Sequence, residues 1–198
     1  QRADARLFDI TECSSLKMAV NKTAWTRRFV HNAQRARSDR KSGPLSSEER
    51  CQALQFWIRD TQNRAYETEL RALRSGNPVS RDSSLTKLRP RFDDDGLMCA
   101  VPRTNELPLP ILPEFAHLTT LIIDDAHRRC FHQGTRATLA ILSGEYLVRR
   151  RSVLRVLNTC QRCKRYRGQS YRSADGGLPS FRTEPCRAFS KVGIDFFG

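Results

Sequence analysis

Two histidines and two cysteines carry the most specific chemistry in this chain. His127 and His132 are separated by four residues, 27 residues follow, and Cys160-Gln-Arg-Cys163 then supplies two thiols with two residues between them. Zinc takes four nitrogen or sulfur ligands in a tetrahedron, and Cys-x2-Cys is a turn tight enough for two thiolates to hold one ion. Four protein ligands leave no open position for water, so the expected zinc is structural rather than catalytic. Either pair alone is weak evidence; the two together, with helical sequence between them, are far more specific. Cys130 lies inside the histidine pair and is expected to be a small buried residue. Cys13, Cys51, Cys99 and Cys186 have no partner at ligand spacing. Seven cysteines scattered over 198 residues argue against a disulfide framework. In a reducing compartment the close pair reads as a metal site.

Helices must bring these groups together. Residues 118–130 show helical spacing through Leu118, Leu121, Ile122 and Ala126, residues 135–142 form a second short helix before Ser143-Gly144, and residues 152–158 a third. On one continuous helix the two histidines would sit about 140° apart. The helix must therefore end between them, and Gly134 is the expected terminator. Upstream, a helix is expected over residues 14–36 with Trp25, Phe29 and Val30 as its apolar anchors. A charged connector follows, closed by Gly43-Pro44. Ser46-Ser-Glu-Glu49 is a capping box that opens a long amphipathic helix to Arg74, stopped by Gly76-Asn77-Pro78. Residues 85–92 and 97–101 flank an Asp-Gly turn and read as a β-hairpin, with Pro90 placing the first strand at an edge. Pro102, Pro108, Pro110 and Pro113 make the next stretch an extended connector. Beyond Arg167 the chain is rich in Gly, Ser and Arg, a linker by composition.

The charge balance points to a partner. Six Lys and 29 Arg face 21 acidic residues, a net charge of +14. Phosphate neutralisation releases counterions and gives affinity without sequence information, and the Arg fork matches phosphate oxygens two at a time. A solvated basic surface is the alternative. Arg128, Arg129, Arg136, Arg149, Arg150, Arg151, Arg155, Arg162, Lys164, Arg165 and Arg167 crowd the histidine–cysteine region and are the candidate nucleic-acid contacts. Three short helices with such a face look like a helix-turn-helix arrangement. The N-terminal residues lack the apolar core of a secretory signal, and no run approaches a membrane span. An intracellular protein without membrane partners is expected.

Taken in order, His127-x4-His132, Gly134, Cys160-x2-Cys163, Leu178-Pro-x2-Arg182, Phe189 and Val192-Gly-Ile-Asp-Phe-Phe-Gly198 resemble the integrase region of long-terminal-repeat retrotransposons, most closely the BEL/Pao group. Upstream, Trp25-x3-Phe29, Gly43-Pro-Leu-Ser-x2-Glu49 and the helix with Trp57 and Gln62 resemble the segment that joins ribonuclease H to integrase in that polyprotein. The likeness spans residues 23–198. Leu147 departs from it, standing where the family has Trp, and residues 99–103 replace a Gly-rich turn.

The resemblance implies an integrase N-terminal domain, a three-helix bundle folded by one zinc that aids multimerisation and binds the element's DNA ends. It also implies a ribonuclease-H-like core with three carboxylates, of which Asp195 matches the first. The other two would lie past Gly198, so this segment alone is not expected to catalyse, and Mg2+ or Mn2+ belongs only to the complete parent core. The parent would work in cytoplasm and nucleus. The fold expected is thus mainly α: long N-terminal helices, a short β-hairpin, a zinc-stabilised three-helix domain, and the first strand of a truncated core. The corresponding segments are 1–76, 77–113, 114–168, a linker at 169–188, and 189–198. A host-domesticated zinc module acting as a DNA-binding or protein-interaction adaptor is the competing expectation.

Overall fold

The computed structural model describes residues 8–100, 108–168 and 183–194. Two compact units divide the chain, one within Gln1–Tyr166 and one within Arg167–Gly198. The boundaries expected at 76/77 and 113/114 both fall inside the first unit, so the helical connector, the hairpin and the histidine–cysteine region are packed together there. The described residues are mainly helical, with one small antiparallel sheet.

Helix α1 (Leu16–Ala33) starts where the Ser15 hydroxyl accepts from the Met18 amide at 3.3 Å. Its inward face is Ala19, Val20, Thr23, Ala24 and Arg28, whereas Trp25, Phe29 and Val30 are exposed. The expected anchors are therefore on the wrong side. Small residues face α2 (Ser47–Ala65), where they allow close approach, and the bulky ones are left outside.

Arg28 explains much of that orientation. Its Nε donates to Glu49 Oε1 at 2.8 Å, and its other nitrogens donate to the carbonyls of Gly43 and Pro44 at 2.6 and 2.9 Å. Glu49 also closes the expected capping box, accepting from the Ser46 amide at 2.9 Å while its own amide donates to the Ser46 hydroxyl. One carboxylate thus joins the body of α1 to the start of α2. The Arg28 hydrogen bonds hold the Glu49 carboxyl down at about 2, against an ordinary value of 4.5. A carboxyl depressed in the folded state contributes stability that is fully present above its ordinary value and lost as pH falls through the folded one. Glu49→Gln is expected to lower the melting temperature at neutral pH by several degrees. That difference from wild type should close as pH drops from about 4.5 to about 2. Melting curves of both proteins across this range check it, since effects common to both cancel.

The long helix expected to reach Arg74 is interrupted at Tyr66, where φ and ψ are −131° and 36°, so α3 (Glu67–Arg74) is separate. The kink lets the two halves serve different cores. Trp57 and Ile58 of α2 pack in the main cluster, while Tyr66, Leu70 and Leu73 pack over the sheet. Gly76 ends α3 at φ +72°, with the Asn77 amide donating to the Ala72 carbonyl at 2.9 Å, a Schellman closure that only glycine adopts without cost.

The hairpin is shorter than its apolar runs. Strand β1 (Arg91–Phe92) pairs with β2 (Met98–Ala100), and residues 86–88 turn as a 3-10 helix ended by Arg89 in the left-handed region. The stretch read as a connector supplies a third strand, β3 (Leu109–Pro110), antiparallel to β2. Proline is admissible there because β3 lies at the sheet edge. Gln62, 1% exposed, ties α2 to this sheet: its amide nitrogen donates to the Met98 and Ile111 carbonyls at 2.8 and 2.9 Å, and its oxygen accepts from the Met98 amide at 2.9 Å.

Helices α4 (His117–Arg129), α5 (Thr135–Ser143) and α6 (Arg150–Thr159) occupy the three expected spans, and α7 (Gln161–Arg167) follows, unforeseen. Leu118, Leu121, Ile122, Leu142, Val153 and Leu157 share one core with Ile10, Cys13, Ala19 and Trp57. Leu147 completes the join: its amide donates to the Pro110 carbonyl at 2.9 Å and its carbonyl accepts from the Leu112 amide at 3.2 Å.

In the second unit, Phe189, Val192 and Ile194 are exposed, and residues 183–194 contain no strand. The core strand expected over 189–198 is thus not seen in its described part, and Asp195 lies outside the described residues, as does most of the expected linker. No helix among the described residues is long and apolar enough to cross a membrane.

Candidate metal centre

The last turn of α4 and the turn beyond it set the first two ligands. His127 is in that last turn, 1% exposed. The chain then reverses: the Phe131 amide donates to the Arg128 carbonyl and the His132 amide to the His127 carbonyl, both at 3.0 Å. Phe131 and His132 carry φ of +51° and +62°. The helix does end between the histidines, but through this reversal and not at Gly134, which with φ +89° is the N-cap of α5. The reversal turns the His132 ring back over His127, at a centroid distance of 4.4 Å and nearly perpendicular. Cys160 is the C-cap of α6, and Cys163 lies in the short helix α7.

The four ligand atoms lie within 4.8 Å of one another. His132 Nδ1 is 2.9 Å from His127 Nε2, 3.4 Å from Cys160 Sγ and 3.8 Å from Cys163 Sγ, and His127 Nε2 is 3.1 Å from Cys163 Sγ. Zinc bonds of about 2.0–2.1 Å to nitrogen and about 2.3 Å to sulfur imply tetrahedral edges of roughly 3.3–3.8 Å. The observed spacings bracket those edges, with the imidazole–imidazole edge drawn in. Hydrogen bonding alone does not account for the cluster, because one nitrogen faces three groups and has at most one proton to give. A cation at the centre satisfies all four at once. These residues form a cluster that could hold a metal ion, and their two imidazoles and two thiols are a donor set that zinc favours.

Of the other thiols, Cys51 and Cys186 are exposed and outside the cluster, and three are buried. Cys130, 7% exposed, donates to the His127 carbonyl at 3.2 Å and is not part of the cluster. Burial raises the Cys13 thiol, and burial together with Asp93 pushes Cys99 up to about 12, which keeps both protonated and poor metal ligands. Burial likewise pushes Tyr146 up to about 12, as suits a ring packed on the core.

The basic candidates divide into two groups. Arg128 pairs with Asp124 at 2.7 Å, and Arg129 with Asp125 and Glu145 at 3.3 and 2.8 Å. Arg149 lies 3.6 Å from the Glu114 carboxylate, Arg151 touches it too, and Arg155 donates to the Glu114 carbonyl at 2.6 Å. Glu114, only 13% exposed in its side chain, is thus a clamp between the start of α4 and α6 that charge counting overlooked. Arg136, Arg150, Arg162, Lys164, Arg165 and Arg167 are exposed and have no acidic partner among the described residues. Four of these six lie on α7, beside the cysteine ligands.

Thr138 was missed altogether. It is wholly buried on α5, and its hydroxyl lies 3.2 Å from His127 Nδ1. A Thr six residues past the second histidine carries no signal of its own until the ring faces it. Comparison of the chain with protein-family models, with curated proteins and with solved structures finds no match.

Proposed function

We propose that this chain is the zinc-folded, nucleic-acid-binding segment of a BEL/Pao-type retroelement integrase, supporting multimerisation and the binding of DNA ends. The observation that carries the reading is the convergence of His127, His132, Cys160 and Cys163 where α4, its reversal, α6 and α7 meet. Zinc there would cross-link four chain segments and add on the order of 10 kcal/mol of apparent folding free energy. It would need no catalytic role, because the protein itself fills all four positions. The unpaired cations of α7 support the second half of the reading, since a guanidinium without a carboxylate partner is free for phosphate. Arg128, Arg129, Arg149, Arg151 and Arg155, being paired, are better read as structural.

A titration of labelled duplex DNA at increasing salt tests the nucleic-acid function. Four phosphate contacts predict a roughly 100-fold fall in affinity from about 50 to about 200 mM salt. Changing Arg162, Lys164 and Arg165 to Ala should flatten the logarithmic salt slope by close to one unit per cation removed. A flat response in the wild type contradicts nucleic-acid binding.

One observation favours a second reading, a protein-interaction adaptor. Met18, Trp25, Phe29 and Val30 leave large apolar surface exposed on α1, the kind of surface that partners cover. A flat salt response together with self-association lost on Trp25→Ala would support it.

A further inference from the structure

The two histidines turn different nitrogens toward the cluster. A neutral imidazole in water carries its proton mostly on Nε2, so Nδ1 is the nitrogen it offers to a metal unless a neighbour holds the proton elsewhere. His132 follows that preference: its Nδ1 faces the other ligands, and no group among the described residues bonds its Nε2. His127 does the reverse, offering Nε2, and so requires its less favoured tautomer.

We infer that Thr138 is the positioning residue that fixes His127 as the Nδ1–H tautomer and so makes its Nε2 a metal ligand. The inference rests on the zinc reading above. Thr138 Oγ1 donates to the Gly134 carbonyl at 2.8 Å, which commits its only proton and leaves a lone pair 3.2 Å from His127 Nδ1. Nδ1 must then be the donor. Cys130 Sγ, 3.4 Å from the same oxygen, has its own acceptor in the His127 carbonyl and leaves this assignment unchanged. Thr138 and His127 are 0% and 1% exposed, so water does not substitute for the hydroxyl. Helix α5 supplies no ligand, yet through Thr138 its docking against α4 and metal binding become one event. Partners of this kind set ligand orientation and basicity, and losing one costs about 10–100-fold in metal affinity.

The 198-residue chain is compared as wild type, Thr138→Val and Thr138→Ser for zinc affinity by competition with a chromogenic chelator. Val keeps the shape, and the Gly134 carbonyl keeps its bond from the Thr138 backbone amide, so the substitution removes only the hydroxyl. The expected result is a loss of about 10–100-fold for Thr138→Val and near-wild-type affinity for Thr138→Ser. Ring nitrogen–proton NMR of the zinc-loaded wild type should show His127 protonated at Nδ1, a readout independent of whether any variant folds. Equal affinity of Thr138→Val and wild type, equal weakness of both variants, or a His127 proton on Nε2 overturns the inference while leaving the zinc reading intact. A wild type that takes up no zinc removes both.

Discussion

Changing Cys160 and Cys163 together to Ser is expected to abolish zinc binding, from one ion per chain to none, and to loosen α5, α6 and α7. These helices have 9, 10 and 7 residues, lengths at which an isolated helix is unstable in water. The cross-link lost is worth on the order of 10 kcal/mol of apparent free energy. The damage should nevertheless stop short of the N-terminal helices. Val20 and Ala24 of α1 pack with Ala53 of α2 in a cluster of their own, and Arg28 with Glu49 ties the same two helices independently of the metal. Hydrogen exchange should therefore show protection lost over α5–α7 and retained over α1 and α2. Far-ultraviolet circular dichroism should fall in step with zinc content. Cys51→Ser and Cys186→Ser, at exposed thiols outside the cluster, should change neither.

Gln62→Ala should cause a large loss of stability from a single residue outside the metal centre. The side chain is 1% exposed and makes three hydrogen bonds to the backbone of β2 and of Ile111 beside β3. Truncation strands the buried Met98 amide and the Ile111 carbonyl and leaves a cavity. Unpaired buried groups cost about 1–3 kcal/mol each, so a total of about 3–5 kcal/mol is expected. Urea unfolding should show a lower midpoint at unchanged slope. Gln62→Leu, which restores volume without the hydrogen bonds, should recover only the cavity part. A variant with wild-type stability would mean that the sheet does not depend on α2 for its pairing.

What could be read in the sequence was local. The Ser46–Glu49 box, the Gly76 stop and the spans of α4, α5 and α6 follow from caps, glycine and 3.6-residue spacing, all properties of short windows. The metal cluster was legible because its four side chains are of types that seldom converge for another reason. The failures share a cause, since each depended on a partner distant in sequence. Trp25 and Phe29 looked like anchors until Arg28 found Glu49, 21 residues away, and turned α1 the other way. Leu109–Pro110 read as a connector because only β2 makes it a strand. The kink at Tyr66 exists because two cores pull on one helix. Basic residues were counted as one patch, although Glu114, Asp124, Asp125 and Glu145 had already claimed five of them.

X-ray absorption at the zinc edge of the purified chain probes the centre most directly. One zinc per chain is expected, with two nitrogen neighbours at about 2.0 Å and two sulfur neighbours at about 2.3 Å. A folded chain without zinc, or a metal shell of oxygen and nitrogen lacking sulfur, would contradict it.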